Sequence, residues 1–319
     1  MPRRALTLLA VVLAVLSAAV PASGLERLKR VTDRFYFFQG DFGNPNSGVI
    51  VTPDGLVLID AQWSTAAAAD FLLEIREVSD RPIRFLVYTH AHADHISGAH
   101  VLARGATVVA SASTAREMEE RGRETIETLK ERIRNQADDL PLVLPALTFT
   151  ERAVIQVGGV EVILIDAGRG HSWGDTAVHL PAEGILYAAD LVATNRFPWI
   201  RDSSTREWLA ALSRLSAGAG GSIERVFPGH GEPGGAASIE KTKRLLKALR
   251  REAGAAIEAG LSSVEAQRRV RLAEFSSLDN YEFRLPPAVG RVYDEMESEK
   301  EGIAPGLPAP APPAERPAP

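Results

Sequence analysis

The sequence predicts an α+β chain folded as a four-layer αββα sandwich, two mixed β-sheets face to face with helices outside. Three observations carry this prediction. Strand-like runs followed by helical runs occur twice in the same sense, once up to about residue 136 and again from residue 147. A β-α-β passage lies between Leu56 and Thr89, and such a crossover puts its helix on a sheet face. Histidines and acids fall at strand ends, so they come from loops along one sheet edge.

Composition suits one globular domain: 319 residues, 45% hydrophobic and 24% charged, enough to bury a sizeable core. Residues 1–24 stand apart. Met1-Pro-Arg-Arg4 and the largely apolar run to Val20 have the charged start and short core of a secretory signal peptide, with small residues at Ala22-Ser-Gly24 for cleavage. The run is shorter than the ~20 residues a membrane span needs. Export to a periplasmic or secreted location is therefore expected, with no membrane attachment after cleavage and the domain at 25–300. Cysteine is absent, which excludes disulfides and lipid attachment at a cysteine. A formal charge of −5 leaves no electrostatic footprint for nucleic acid.

Arg34–Gly40 and Ser47–Thr52 read as strands, and Pro53-Asp-Gly55 turns into the strand Leu56–Ile59, giving an antiparallel meander. Ser64 caps a helix to Arg76 whose apolar residues recur at helical spacing, and Ile83–Thr89 is the next strand. Ser97-Gly98 opens into a helix over Ala99–Arg104, and Thr107–Ala110 is another short strand. From Thr114 to about Gln136, Arg, Glu and Lys alternate along a helix read as a solvated face. Strands at Leu147–Thr150, Ala153–Gln156 and Val160–Ile165, the last two joined by Gly158-Gly159, start the second set, which Ala177–Leu180 and Ile185–Ala188 continue. Helices are predicted over Thr205–Leu215, Ser238–Ala259, Ser263–Phe275 and Pro287–Glu299. Proline and alanine then dominate to Pro319, so 301–319 reads as an unpacked tail with polyproline-like conformation.

Chemistry concentrates in Tyr88-Thr-His-Ala-His-Ala-Asp-His-Ile-Ser-Gly98, where His90, His92, Asp94 and His95 follow directly on a strand. His90 and His92, two residues apart on extended backbone, point the same way, whereas Asp94 and His95 belong to the turn and face a second point. Three imidazoles and a carboxylate this dense make a metal site, and one cluster can serve two ions. His100 and His179, each isolated in a regular element, read as structural histidines.

His90-Ala-His92-Ala-Asp94-His95 resembles the signature of the metallo-β-lactamase superfamily of metal-dependent hydrolases. The likeness continues in order with Gly168-Arg-Gly-His171-Ser-Trp-Gly-Asp175, with Asp190 ending Gly184-Ile-Leu-Tyr-Ala-Ala-Asp190, and with Val226-Phe-Pro-Gly-His230-Gly231. It spans about Leu25 to Glu299 and is specific from Asn46 to Gly231. The resemblance implies one ion held by His90, His92 and His171, a second held by Asp94, His95 and His230, and Asp190 bridging them, a dinuclear set like that of the glyoxalase II branch. Asp60, at a strand end, resembles an aspartate that braces the metal loop by hydrogen bonds. The loop Asp41–Asn46 matches a position where relatives often carry a loop over the site, or else it is a plain hairpin connection.

Nitrogen and carboxylate ligands without thiolate suit Zn2+ first, two per chain, and iron or manganese next. The implied chemistry is hydrolysis of a small-molecule substrate. Paired ions about 3.5–4 Å apart share a hydroxide, formed because metal binding lowers water's pKa to ~7. That hydroxide attacks an ester, thioester, lactone or amide carbonyl, with Asp94 orienting it and Asp190 fixing the metal separation. Beyond Asp190, Asn195, Arg196 and Trp199 are placed to contact substrate; the plainer alternative pairs Arg196 with an acid and puts Trp199 in the core. The passage is similar to exported zinc hydrolases linked to quinoprotein systems. Without cysteine the β-lactamase branch that binds its second zinc through cysteine is removed, since Asp190 stands there. The alternatives left are a cysteine-free β-lactamase, a mononuclear iron sulfur dioxygenase using the equivalents of His90, His171 and Asp190, and a non-catalytic metal-binding module. No basic cluster suited to glutathione follows His230.

Overall fold

The computed structural model describes residues 27–41, 44–134, 139–218 and 220–302. The expected export signal at 1–24, and the expected tail from residue 303 on, lie outside these. Strands β1 (Leu28–Arg30), β2 (Phe35–Phe38), β3 (Ser47–Thr52), β4 (Gly55–Ile59), β5 (Ile83–Val87), β6 (Thr107–Ser111) and β7 (Leu147–Phe149) form one sheet in chain order. Strands β8 (Arg152–Val157), β9 (Val160–Gly168), β10 (Asp175–Leu180), β11 (Ile185–Ala189), β12 (Arg225–Pro228) and β13 (Gly234–Gly235) form the other, again in order. Both are mixed: β1 to β4 are antiparallel and β4 to β7 parallel, while β8 to β11 are antiparallel and β12 joins β11 in parallel.

The helices are α1 (Thr65–Val78), α2 (Ala93–Ile96), α3 (Ala99–Leu102), α4 (Ala112–Ile133), α5 (Thr205–Gly218), α6 (Ala237–Glu258), α7 (Ser263–Arg269) and α8 (Tyr281–Lys300). Among the described residues none is long and apolar enough to cross a membrane.

Alternation along the strands builds the four layers. In β4, Val57 and Ile59 enter the core between the sheets, while Leu56 and Leu58 face α1 through Phe71 and Ile75. In β9, Val162 and Leu164 point into that same central core, and Ile163 and Ile165 face Trp208, Leu212 and Leu249 of α5 and α6. Strands covered on both faces read as continuous apolar runs, because neither face meets water. Each such Val, Leu, Ile or Phe contributes about 1.5–3 kcal/mol on full burial. The predicted αββα sandwich is the observed one.

Ser64 caps α1 as expected, accepting a hydrogen bond from Ala67 N. Four local expectations are corrected. Asp94 and His95 do not sit on a turn: Ala93–Ile96 closes one helical turn, α2, before α3 begins. The helix expected over Ser263–Phe275 stops at Arg269, because Val270 takes an extended conformation and buries with Leu272 in the core. The last helix starts at Tyr281 rather than Pro287. Pro286 and Pro287 lie inside it and remove the hydrogen bonds to the carbonyls of Glu282 and Phe283, residues exposed enough for water to replace them. The charged helix α4 is not all solvated face, since Glu117 is only 3% exposed and faces the metal loops. The short edge strand β1 went unforeseen.

The loop after β5 seats directly on α1. A Cβ on Gly98 would clash with Ala61 O and stand 2.5 Å from the Ala68 side chain. Gly98→Ala should therefore destabilise the protein by about 1–3 kcal/mol through overpacking. Chemical denaturation checks this, and an unchanged unfolding midpoint contradicts it.

Candidate metal centre

Side chains from four connections meet at one edge of the sandwich. His90 and His92 leave β5, Asp94 and His95 stand on α2, His171 follows β9, Asp190 follows β11 and His230 follows β12. Two groups form, His90, His92, His171 and Asp190, and Asp94, His95 and His230, each with its ligating atoms within 4.8 Å of one another. In the first, His92 Nδ1 lies 3.1 Å from His90 Nε2 and 3.0 Å from His171 Nε2, and Asp190 Oδ2 is 3.2 Å from His171 Nε2. In the second, His230 Nε2 lies 3.3 Å from both His95 Nε2 and Asp94 Oδ2. Asp190 touches both: Oδ2 is 3.7 Å from His230 Nε2, and Oδ1 is 3.8 Å from His95 Nε2.

Outer hydrogen bonds fix which ring nitrogens face inward. His171 Nδ1 donates to the Trp199 carbonyl at 3.1 Å, and a carbonyl only accepts. His95 Nδ1 donates to Asp60 Oδ2 at 2.9 Å. The Thr89 hydroxyl donates to Asp60 Oδ2 at 2.8 Å, so its lone pair accepts from His90 Nδ1 at 2.9 Å. The Nε2 atoms of His90, His95 and His171 thus face a common region and are bare lone pairs in each ring's neutral form. Asp190 Oδ1 is buried without a hydrogen-bond partner among the described residues. Converging lone pairs and carboxylates repel one another, and a cation resolves the repulsion; these residues fit divalent metal of the N/O-binding class.

Asp60, which the resemblance casts as a brace of the metal loop, accepts from His95 and from the Thr89 hydroxyl. It also takes the Thr89 amide at 2.8 Å, and its left-handed φ of 62° turns the chain at the end of β4. Ala189, with φ 46°, does the same before Asp190. Gly229 allows the last loop to close, because a Cβ there would collide with Asp190 Oδ1 and stand 3.0 Å from the His95 ring.

Burial and neighbouring charge divide the histidines. Burial lowers His171 to about 3 and holds His90 well below its usual range. Burial also acts against charge on His92 and His95, yet Asp202, Glu117 and Asp94 outweigh it at His92, raising it to about 9, and Asp60, Asp94 and Asp190 raise His95 to about 10. Burial raises Asp190, but His230, His171 and His95 more than compensate and hold it at about 2; Asp94 is likewise held well below its usual range by His95 and His230.

Several contributing residues escaped the sequence reading. Asp202 Oδ2 stands 3.5 Å from His92 Nε2, an ion-pair distance rather than a formed hydrogen bond, and its other oxygen faces Arg121 at 3.7 Å. Glu117 accepts from the Trp173 amide at 3.1 Å, and Asp175 accepts from the Ser172 amide at 3.0 Å, both bracing the His171 loop. Asn46 accepts the Tyr187 hydroxyl at its carbonyl, donates its amide to Gly229 O and its side chain to Pro228 O and Gly231 O, tying the two sheets' loops together. Thr89 was legible from its place beside His90; Asp202, Glu117 and Asn46 had no local signal.

The three candidate substrate residues separate. Asn195 is committed to structure, accepting from the Glu232 amide at 2.9 Å and donating to Asp279 Oδ2 at 3.0 Å. Arg196 has no carboxylate within 4.0 Å among the described residues, and its Nε is unpartnered. The Trp199 ring is half-buried outside the core, with Arg284 and Arg201 guanidinium carbons 5.5 and 5.7 Å from its centroid. His100 is structural as expected, bonded to Thr65 Oγ1 and Ser97 O, and His179 is buried in β10, outside both groups.

The metallo-beta-lactamase superfamily model matches residues 40–230, the span that carries every one of these loops. The chain belongs to the metallo-beta-lactamase superfamily. It is 27% identical over 215 residues to a type 2 metallo-beta-lactamase of Bacillus cereus, covering 66% of this chain and 76% of that one. The fold resembles that of a metallo-beta-lactamase from Pontibacter korlensis, with TM-score 0.57, 23% identity and coverage of 69% and 98%. It also resembles a double mutant of the sec-alkyl sulfatase PisA1, with TM-score 0.70, 19% identity and coverage of 87% of this chain and 50% of that one.

Two outcomes follow for this superfamily member. Asp60→Asn presents an amide donor to His95 Nδ1, turns the ring's proton inward and should weaken zinc binding about 10–100-fold in chelator competition; equal affinity contradicts the assigned tautomer. The raised values of about 9 and 10 mean that His92 and His95 carry protons at neutral pH which metal must displace. Zinc affinity should therefore rise with pH from 6 toward 9, with proton release measurable by calorimetry in buffers of different ionisation enthalpy, and a flat profile contradicts this.

Proposed function

We propose that this chain is a dinuclear, zinc-dependent hydrolase that opens an ester, thioester, lactone or amide carbonyl of a small molecule. The observation that carries this reading is the position of Asp190, whose two oxygens reach one histidine of the first group and two of the second. His90, His92 and His171 would hold one ion, Asp94, His95 and His230 the other, and Asp190 both. When bound, such a pair supplies Lewis acidity and a water acidified to about pKa 7.

The chain's own groups do the rest. Asp94 is ionised at neutral pH and partly open to solvent, so it can accept a proton-bearing oxygen's hydrogen bond and aim its lone pair at a carbonyl. His92, Asp94, His230 and Asp190 keep 12 to 23% of their side-chain surface, whereas His90, His95 and His171 keep at most about 1%. Substrate therefore approaches from the side of the first four. The buried three hold the geometry without meeting substrate. The leader-like residues 1–24 support an exported enzyme. A second reading, β-lactam hydrolysis, is supported by the likeness to the Bacillus cereus enzyme.

The test is metal content and a substrate screen on one sample, with lactones, thioesters, β-lactams, and phosphate and sulfate esters. About two zincs per chain and turnover of a carbonyl substrate are expected; one iron per chain with oxygen consumption would sink the proposal. His92→Ala and Asp190→Ala should each abolish turnover while circular dichroism stays native, since both residues sit on edge loops. Undiminished activity of either variant in a metal-replete assay would refute its assigned role.

A further inference from the structure

Helix α8 lies outside residues 40–230, yet it sends one side chain back to Phe197 and Trp199, in the segment that follows Asp190. Arg284 Nη1 donates to Phe197 O at 2.7 Å, and its guanidinium carbon lies 5.5 Å from the ring centroid of Trp199, the residue whose carbonyl holds His171. Arg196 packs against the His230 loop. Its Cδ and Cγ would stand 2.8 and 3.0 Å from a Cβ on Gly231, next to His230. The two arginines thus pack against the His171 and His230 loops. Arg284 lies within the fields of Asp190 and Asp94, and Arg196 and Arg132 oppose its charge.

Both guanidiniums are half-buried and neither meets a carboxylate within 4.0 Å among the described residues. Three other part-buried arginines of this chain pair with acids, Arg250 with Glu295 and Glu299, Arg27 with Glu74 and Arg121 with Asp202, while Arg225 and Arg291 end on backbone carbonyls; the side chain of Arg196 has neither kind of partner among the described residues. Asp279, whose backbone bridges with that of Arg196, gives its Oδ2 to Asn195. Two arginines held in each other's field and partly out of water are costly unless an anion joins them, and guanidinium cannot escape by losing its proton. Its fork matches the paired oxygens of a carboxylate, sulfate or phosphate.

We propose that Arg196 and Arg284 form an oxyanion-binding clamp beside the metal centre, so that the substrate carries a carboxylate, sulfate or phosphate group. The substrate part rests on the hydrolase reading; the clamp itself does not. Trp199 and the Phe197 carbonyl hold Arg284 in place, and Gly231 leaves room for Arg196. The anionic group orients the substrate, and the scissile bond lies toward Asp190 and Asp94.

The test compares kcat/KM for neutral 4-nitrophenyl acetate and anionic 4-nitrophenyl hydrogen glutarate, with 4-nitrophenyl sulfate and phosphate as further arms that tell the oxyanions apart. Zinc-loaded wild type, Arg196→Gln, Arg284→Gln, Arg284→Lys and the remote surface control Arg251→Gln are measured, with zinc content determined for each. The wild type should favour an anionic substrate, each Gln variant should lower the anionic-to-neutral ratio at least tenfold, Arg284→Lys should retain part of it, and the control should match wild type. A neutral preference in wild type, or a ratio unmoved in both Gln variants, overturns the clamp. Calorimetry with inorganic sulfate and acetate gives a readout independent of turnover. Tenfold weaker binding in the Gln variants at equal zinc content supports the clamp even if no ester is turned over, in which case the hydrolase reading alone fails. Equal binding in all variants assigns the anion to the metals and overturns it.

Discussion

The site depends on where three imidazoles put their protons. His90, His95 and His171 each commit a ring proton to an outward acceptor, through Thr89, Asp60 and the Trp199 carbonyl. Each neutral ring is then left with a lone pair aimed inward, where acidic oxygens already gather, and at His95 that form is reached when metal displaces its proton. A buried set of this kind is unfavourable in itself and becomes favourable around a cation, so the arrangement is organised for metal by groups that never touch it. Asp60 is central because a single carboxylate orients the Thr89 hydroxyl, the Thr89 amide and His95.

The sandwich makes this possible by being rigid where it ends. Strands such as β4 and β9 are buried on both faces, so their positions are set by packing on two sides. Their ends open onto one edge, and the loops there are cross-tied between sheets: Thr176 N to Thr89 O at 2.7 Å, Asn46 N to Gly229 O at 2.7 Å, and Tyr187 Oη to Asn46 O at 2.9 Å. Left-handed backbone at Asp60 and Ala189 is held against its local cost by the same surroundings.

Around the metal groups lies a second ring of charge with a division of labour. On one side Asp202, Glu117 and Arg121 surround His92 and the His171 loop; on the other stand Arg196 and Arg284, without acidic partners among the described residues. The first side is internally balanced and serves position. The second is left positive, and its charge is available to a ligand. Both sides draw on helices, α4 and α8, the first of which reads in sequence as an ordinary charged surface.

Much of this is legible in the amino-acid sequence. Two strand-then-helix sets predict the layers and the His90-x-His92-x-Asp94-His95 run predicts a metal site, because a period-two strand and a dense histidine cluster are local patterns; the resemblance to the metallo-β-lactamase superfamily adds His171, Asp190 and His230 at later strand ends. Local pattern failed where a tertiary contact outweighed it: Val270 leaves the helix to bury, α8 runs through Pro286 and Pro287 because its first turn is wet, and Glu117 on a charged helix turns inward to a backbone amide. The sequence by itself determined which side chains can bind metal and in what layered frame. Only the tertiary structure decided which nitrogen of each ring faces inward, that Asp190 stands between the two groups, and that an arginine from the last helix reaches the site, since hydrogen-bond partners and electric fields act through space between residues far apart in the chain.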